Sequence, residues 1–137
     1  MSLSYGENTL LKKTIDFGYE KFGNQFHPLI DFMPVEEYHK LTATCNVVIM
    51  NQCRQQAFGN ILVALWQGSK VYLRPSNTIY SYLKNKGVYI FNIDEDTSEF
   101  RNDLSEQQIE FNRSFIRKNY SENNIIAKTQ EMISHFI

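Results

Sequence analysis

The chain has 137 residues, with 14 Lys+Arg against 15 Asp+Glu, 42% hydrophobic residues and 14% aromatic ones. That is one domain's worth of globular protein with material for a core, and it argues against disorder. A net charge of -1 leaves no basic excess to release counterions from nucleic acid, and two cysteines cannot build a disulfide framework.

Met1-Ser2-Leu3 reads as a start added for expression, and residues 4–137 as one domain. Leu10, Leu11, Ile15, Phe17, Tyr19 and Phe22 alternate with Lys12, Lys13, Asp16 and Glu20, which predicts an amphipathic helix over 7–22. Asn8-Thr9 suits its start and Gly23 its end. Phe26 to Ile30 is short and apolar and predicts a first strand, with Pro28 placing it at an edge or a strand start. Pro34 opens a helix over 35–44, with Tyr38 and Leu41 facing inward. Val47-Val48-Ile49-Met50 is a continuous apolar run, the pattern of a parallel strand buried on both faces.

The polar stretch Asn51 to Gln56 then leads into an apolar helix over 57–67, closed by Gly68. Trp66 on this helix reads as core. Lys70 to Leu73 predicts the next strand, Arg74-Pro75 a loop, and Ser76 the cap of a helix over 78–86 that stops at Gly87. Val88 to Phe91 predicts a fourth strand, and two helices follow near 105–119 and 123–136. Strands alternating with helices mean βαβ units with right-handed crossovers. The predicted class is α/β, a Rossmann-like doubly wound parallel sheet of about four strands with C-terminal helices.

In such sheets ligands bind beyond the carboxyl ends of the strands. The junction from Met50 to Asn60 is the strongest candidate. It offers a helix N-terminus with amide N–H groups for a phosphate, Arg54 as a cationic fork, and Gln55 and Gln56 as amide donors and acceptors. Gly59 leaves the backbone open to close approach, and Asn60 and Asn51 flank the loop. Arg74 leaves the next strand at the same edge, followed by Asn77 and Tyr80. Neither GxGxxG nor a Walker A pattern is present.

Arg54-Gln55-Gln56-Ala57-Phe58-Gly59-Asn60, the apolar helix after it, Gly68 and the strand Val71-Tyr72-Leu73 together resemble the donor half of a GT-B glycosyltransferase. More closely they resemble the 4-acetamido-4,6-dideoxy-D-galactose transferases of enterobacterial common antigen synthesis. Those enzymes carry an Arg-Gln-Gln-x-x-Gly element after a buried strand. Tyr5 to Asn8, Phe32 to Cys45, and Asn112, Ile116 and Tyr120-Ser121 are similar to other parts of that family, so the resemblance runs from about Tyr5 onward. It implies transfer of an amino-deoxy sugar from a dTDP donor to a polyprenyl-diphosphate-linked glycan, without a metal or other cofactor. It places Arg54, Gln55, Gln56, Gly59 and Asn60 around the donor diphosphate and sugar, and it assigns no catalytic residue.

The family's acceptor half would precede Tyr5, so the chain reads as part of a longer transferase with no turnover of its own. With upstream strands missing, the Phe26 to Ile30 strand is expected to close against the Val47 to Met50 strand, and self-association through an edge is a second expectation.

The other residue types point elsewhere only weakly. His27, His39, His135, Cys45 and Cys53 lack zinc spacing. The cysteines read as free thiols in the cytoplasm, with the transferase at the periphery of the inner membrane, and Cys45 as helix-end core. Asp94-Glu95-Asp96 reads as a solvated loop. The alternative function is a flavodoxin-like or receiver-like interaction module. The chain shows neither a Ser/Thr-rich phosphate loop nor a receiver's acidic set, so the transferase reading leads.

Overall fold

The computed structural model describes residues 8–52 and 57–135. The chain divides into two compact units, Met1–Tyr38 and His39–Ile137.

In the first unit, helix α1 (Asn8–Phe22) ends where Gly23 takes φ 52° and starts a short 3-10 turn. Gly18 lies buried in the middle of α1 although glycine is a poor helix former. The reason is Phe26, whose ring occupies the space where a Cβ on Gly18 would stand. The same ring meets Tyr19 edge-to-face at 5.3 Å. The strand expected over Phe26 to Ile30 does not form; Leu29 alone makes an isolated bridge. Pro28 has no N–H to give a ladder, and Phe26 is committed to α1 instead. Helix α2 (Val35–Thr42) follows Pro34 as expected and starts in this unit, its last four residues belonging to the second; Leu41 is exposed rather than inward.

The second unit contains an open parallel sheet of three strands rather than four: β1 (Val47–Met50), β2 (Lys70–Leu73) and β3 (Phe91–Asn92), in the order β1-β2-β3. Val47 pairs with Lys70 and Met50 with Leu73, while Tyr72 pairs with Phe91 and Leu73 with Asn92. The central strand β2 is buried at all four positions, whereas β1, at the end of the strand order, is not buried on both faces as its apolar run predicts: Ile49 is exposed and its neighbours are half-buried.

Helices α3 (Phe58–Gln67) and α4 (Thr78–Asn85) connect the strands. Successive right-handed crossovers in one direction put both helices on one face. The core reflects this. Ile61, Ala64 and Leu65 of α3 and Ile79 and Leu83 of α4 pack with Val71 and Leu73, joined by Val88 and Ile90. The opposite face of β2 presents Lys70 and Tyr72, which meet Phe91 and Phe100.

Trp66 is not core: it is 42% exposed, with the Arg117 guanidinium 5.5 Å from its ring centre. Ile61, Ala64 and Leu65 take the inward positions at helical spacing, and the next residue turns about 100° away from them.

The last strand starts three residues later than the sequence predicts. Ile90 N–H donates to Val88 C=O across a three-residue turn at 3.0 Å. The Asn112 side chain holds Tyr89, its Oδ1 accepting from Tyr89 N–H at 2.9 Å and its Nδ2 donating to Tyr89 C=O at 3.3 Å. Backbone groups that a ladder would use are thus taken by a turn and by a helix. That helix is α5 (Glu106–Tyr120), which begins with a capping box between Ser105 and Gln108. It lies across the two glycine turns that end α3 and α4. Gly68 and Gly87 have φ 93° and 76°, and a Cβ on either would press on Ile109 or Phe111 at 3.3 Å. Helix α6 (Glu122–Ser134) follows, with Ile125, Ile126, Met132 and Ile133 exposed.

Candidate functional site

Parallel strands in register end together. Met50, Leu73 and Asn92 therefore define one carboxyl edge, and the segments after them meet there. Arg74 Nε donates to Asn51 Oδ1 at 2.8 Å, which joins the segment after β2 to the segment after β1. Asn77 makes a second tie. It is fully buried; its Nδ2 donates to Gln52 C=O at 2.9 Å and its Oδ1 accepts from Ile79 N–H at 2.9 Å. Asn77 is therefore the cap of α4, in place of the expected Ser76. The Gln52 side-chain oxygen is buried with no hydrogen-bond partner among the described residues.

Two of the sequence candidates, Asn51 and Arg74, are thus brought into direct contact. Gly59 and Asn60 form the exposed first turn of α3, and the space over Gly59 is open to 4 Å among the described residues. Arg54, Gln55 and Gln56, with Cys53, lie outside the described residues. Ala57 takes the cap position of α3 in a left-handed conformation, φ 55°. A methyl group cannot accept from the first N–H groups of the helix, so its own cap residue does nothing to occupy them.

In the acidic segment after β3, Asp94 and Glu95 are exposed as expected, while Asp96 ties back to the strand end. Asp96 Oδ2 accepts from Asn92 N–H at 2.7 Å, and Asn92 Oδ1 accepts from Asp94 N–H at 2.9 Å. Burial, then the charges of Asp96 and Glu95, raise the pKa of Tyr80. No cluster of metal-ligating side chains occurs among the described residues. Cys45 is half-buried in the turn between α2 and β1 rather than at a helix end, its Sγ 3.7 Å from Leu41 C=O.

A feature absent from the sequence reading adjoins these ties. A cavity of about 340 Å³ is lined by Phe58, Thr78, Ile79, Tyr82 and Tyr120. Phe58 and Thr78 are the first residues of α3 and α4, and Tyr120 is the last of α5. The Phe58 and Tyr120 rings stand edge-to-face at 5.4 Å, and the Tyr82 and Tyr120 hydroxyls are hydrogen-bonded at 2.9 Å. No spacing in the sequence marks this group, because its members come from three helices.

The Tyr120 phenol is pushed far above its ordinary pKa, first by burial and then by the Tyr82 hydroxyl. The neutral phenol is the form the fold favours. Its contribution to stability is full below about pH 10, where unfolded tyrosine titrates, and is lost as pH rises toward the folded value. Spectrophotometric titration should show Tyr120 among the last of the eight tyrosines to ionise. Tyr82→Phe should bring it earlier; an unshifted curve would remove the hydroxyl pair as a cause.

No family model, curated protein or solved structure matches the chain.

Proposed function

We propose that the chain is the donor-binding part of a GT-B-type glycosyltransferase, holding a nucleotide-diphosphate sugar at the carboxyl edge of its sheet. The observation that carries this reading is the contact between Arg74 and Asn51, which sets a cation where two strand ends meet beside the start of α3. A diphosphate there would receive charge-assisted bonds from a guanidinium and amide N–H groups from a helix whose cap residue is alanine. Arg54, Gln55 and Gln56 belong to the segment leading into that helix, and their resemblance to the Arg-Gln-Gln-x-x-Gly element of the amino-deoxy-sugar transferases supports the same placement.

The chemistry is attack of an acceptor hydroxyl oxygen on the anomeric carbon as that carbon's bond to the nucleoside diphosphate oxygen breaks, with the hydroxyl proton passing to a general base. Arg54, Arg74 and the α3 N–H groups stabilise charge growing on the departing diphosphate oxygen. The acceptor hydroxyl belongs to a polyprenyl-diphosphate-linked glycan, which places the reaction at the inner membrane's cytoplasmic surface.

Calorimetry with thymidine 5′-diphosphate tests the reading. Charge-assisted hydrogen bonds contribute about 1.5–3 kcal/mol, so Arg54→Ala should weaken binding about ten- to a hundredfold. Unchanged affinity in Arg54→Ala, or no binding to the parent chain, would sink it.

A further inference from the structure

We propose that the cavity between the first turns of α3 and α4 and the last turn of α5 takes the pyrimidine base of the donor nucleotide. The inference rests on the donor-binding reading and adds a place and a chemistry for the base.

Position comes first. Phe58 and Thr78 each follow directly on a residue of the edge segments, Ala57 and Asn77. The bond from Asn77 to Gln52 C=O ties those segments together. A nucleotide whose phosphates lie at Arg74 and the start of α3 therefore has this cavity beside it.

Size and surface agree. About 340 Å³ is at the small end of ligand pockets, suited to a single planar ring with part of its sugar. The rings of Phe58, Tyr82 and Tyr120 supply flat apolar surface, and Ile79 forms a buried floor. Bases stack on such rings because each has a π-face.

Polar groups are present where a base edge would need them. A hydrogen-bonded pair of phenols uses one proton internally, so the Tyr82–Tyr120 pair presents one further O–H and its remaining lone pairs. The Thr78 hydroxyl adds a donor and acceptor at the exposed mouth. A pyrimidine with carbonyl acceptors flanking a ring N–H is matched by that mixture.

The test uses the 137-residue chain, with thymidine 5′-diphosphate and inorganic pyrophosphate as separate probes in calorimetry. Tyr82→Ala, an exposed position, and Phe58→Leu, which keeps apolar bulk, should each weaken thymidine 5′-diphosphate binding about tenfold. Pyrophosphate affinity should stay unchanged in both. Thymidine 5′-diphosphate binding unaffected by either variant would overturn the base site while leaving the diphosphate reading in place. Equal losses for both probes would also overturn it, since the cavity would then be acting through the phosphate segments. Failure of the parent chain to bind either probe would overturn the base site together with the reading beneath it.

Discussion

Asn112→Leu should lower the unfolding free energy by about 2–4 kcal/mol, read as a fall in the urea midpoint with an unchanged slope. Asn112 is fully buried, and leucine matches it closely in size. The substitution therefore removes little packing. What it removes is the pair of bonds to Tyr89 N–H and C=O. Leucine leaves both backbone groups facing an apolar side chain, and each unpaired group costs about 1–3 kcal/mol where water is excluded. The loss is large against the roughly 5–15 kcal/mol that holds a domain folded. It should also free α5 from the turn before β3. An unchanged midpoint would show that water replaces the side chain at Tyr89. The sequence Asn112-Arg113-Ser114 matches a glycosylation acceptor, yet its asparagine has no exposed surface in the folded chain.

The second large effect is expected at Asn77. Alanine there removes the cap of α4, worth about 1 kcal/mol, and also the donor to Gln52 C=O. Together these should cost about 2–3 kcal/mol in thermal or urea unfolding. Asn77→Ser separates the two roles. A serine hydroxyl still accepts at the helix start but is too short to reach Gln52 C=O, and it buries no charge. If the tie between the two edge segments matters for the ligand, the serine variant should lose thymidine 5′-diphosphate affinity while keeping more of the stability. Equal stability losses in both variants would assign the whole effect to the Gln52 bond.

These two asparagines also show where sequence reasoning stopped. The strands β1 and β2 and the helix between them were legible because their signals are local: a continuous apolar run, a helical stripe and a closing glycine. The late start of β3 was not, because its cause is a side chain more than a helix away. The helix over 78–86 was read correctly in place, but two adjacent good caps, Ser76 and Asn77, cannot be ranked without knowing which one the β2 turn buries. Phe26 to Ile30 failed for a related reason: the Phe26 ring packs on α1, which a period count does not reveal. At the site, Asn51 and Arg74 were legible singly, as residues after strands; their contact is a product of register. The aromatic cavity was illegible, since Phe58, Tyr82 and Tyr120 share no motif.

The sequential order of the sheet bears on how the second unit reaches its fold. Val47 finds Lys70 and Tyr72 finds Phe91, so each ladder closes across a single helix and no strand waits for a distant partner. Loop-closure entropy is then spent in small instalments, one crossover at a time. Parallel pairing is slower than the contacts within a helical bundle, but here each closure spans only one crossover. The β1-α3-β2 stretch, with the better ladder and the densest apolar helix, is the natural nucleus, and β3 joins after α5 has clasped Tyr89. Stopped-flow refolding should accordingly find substitutions in α3 slowing folding, and Asn112→Leu acting mainly on the unfolding rate.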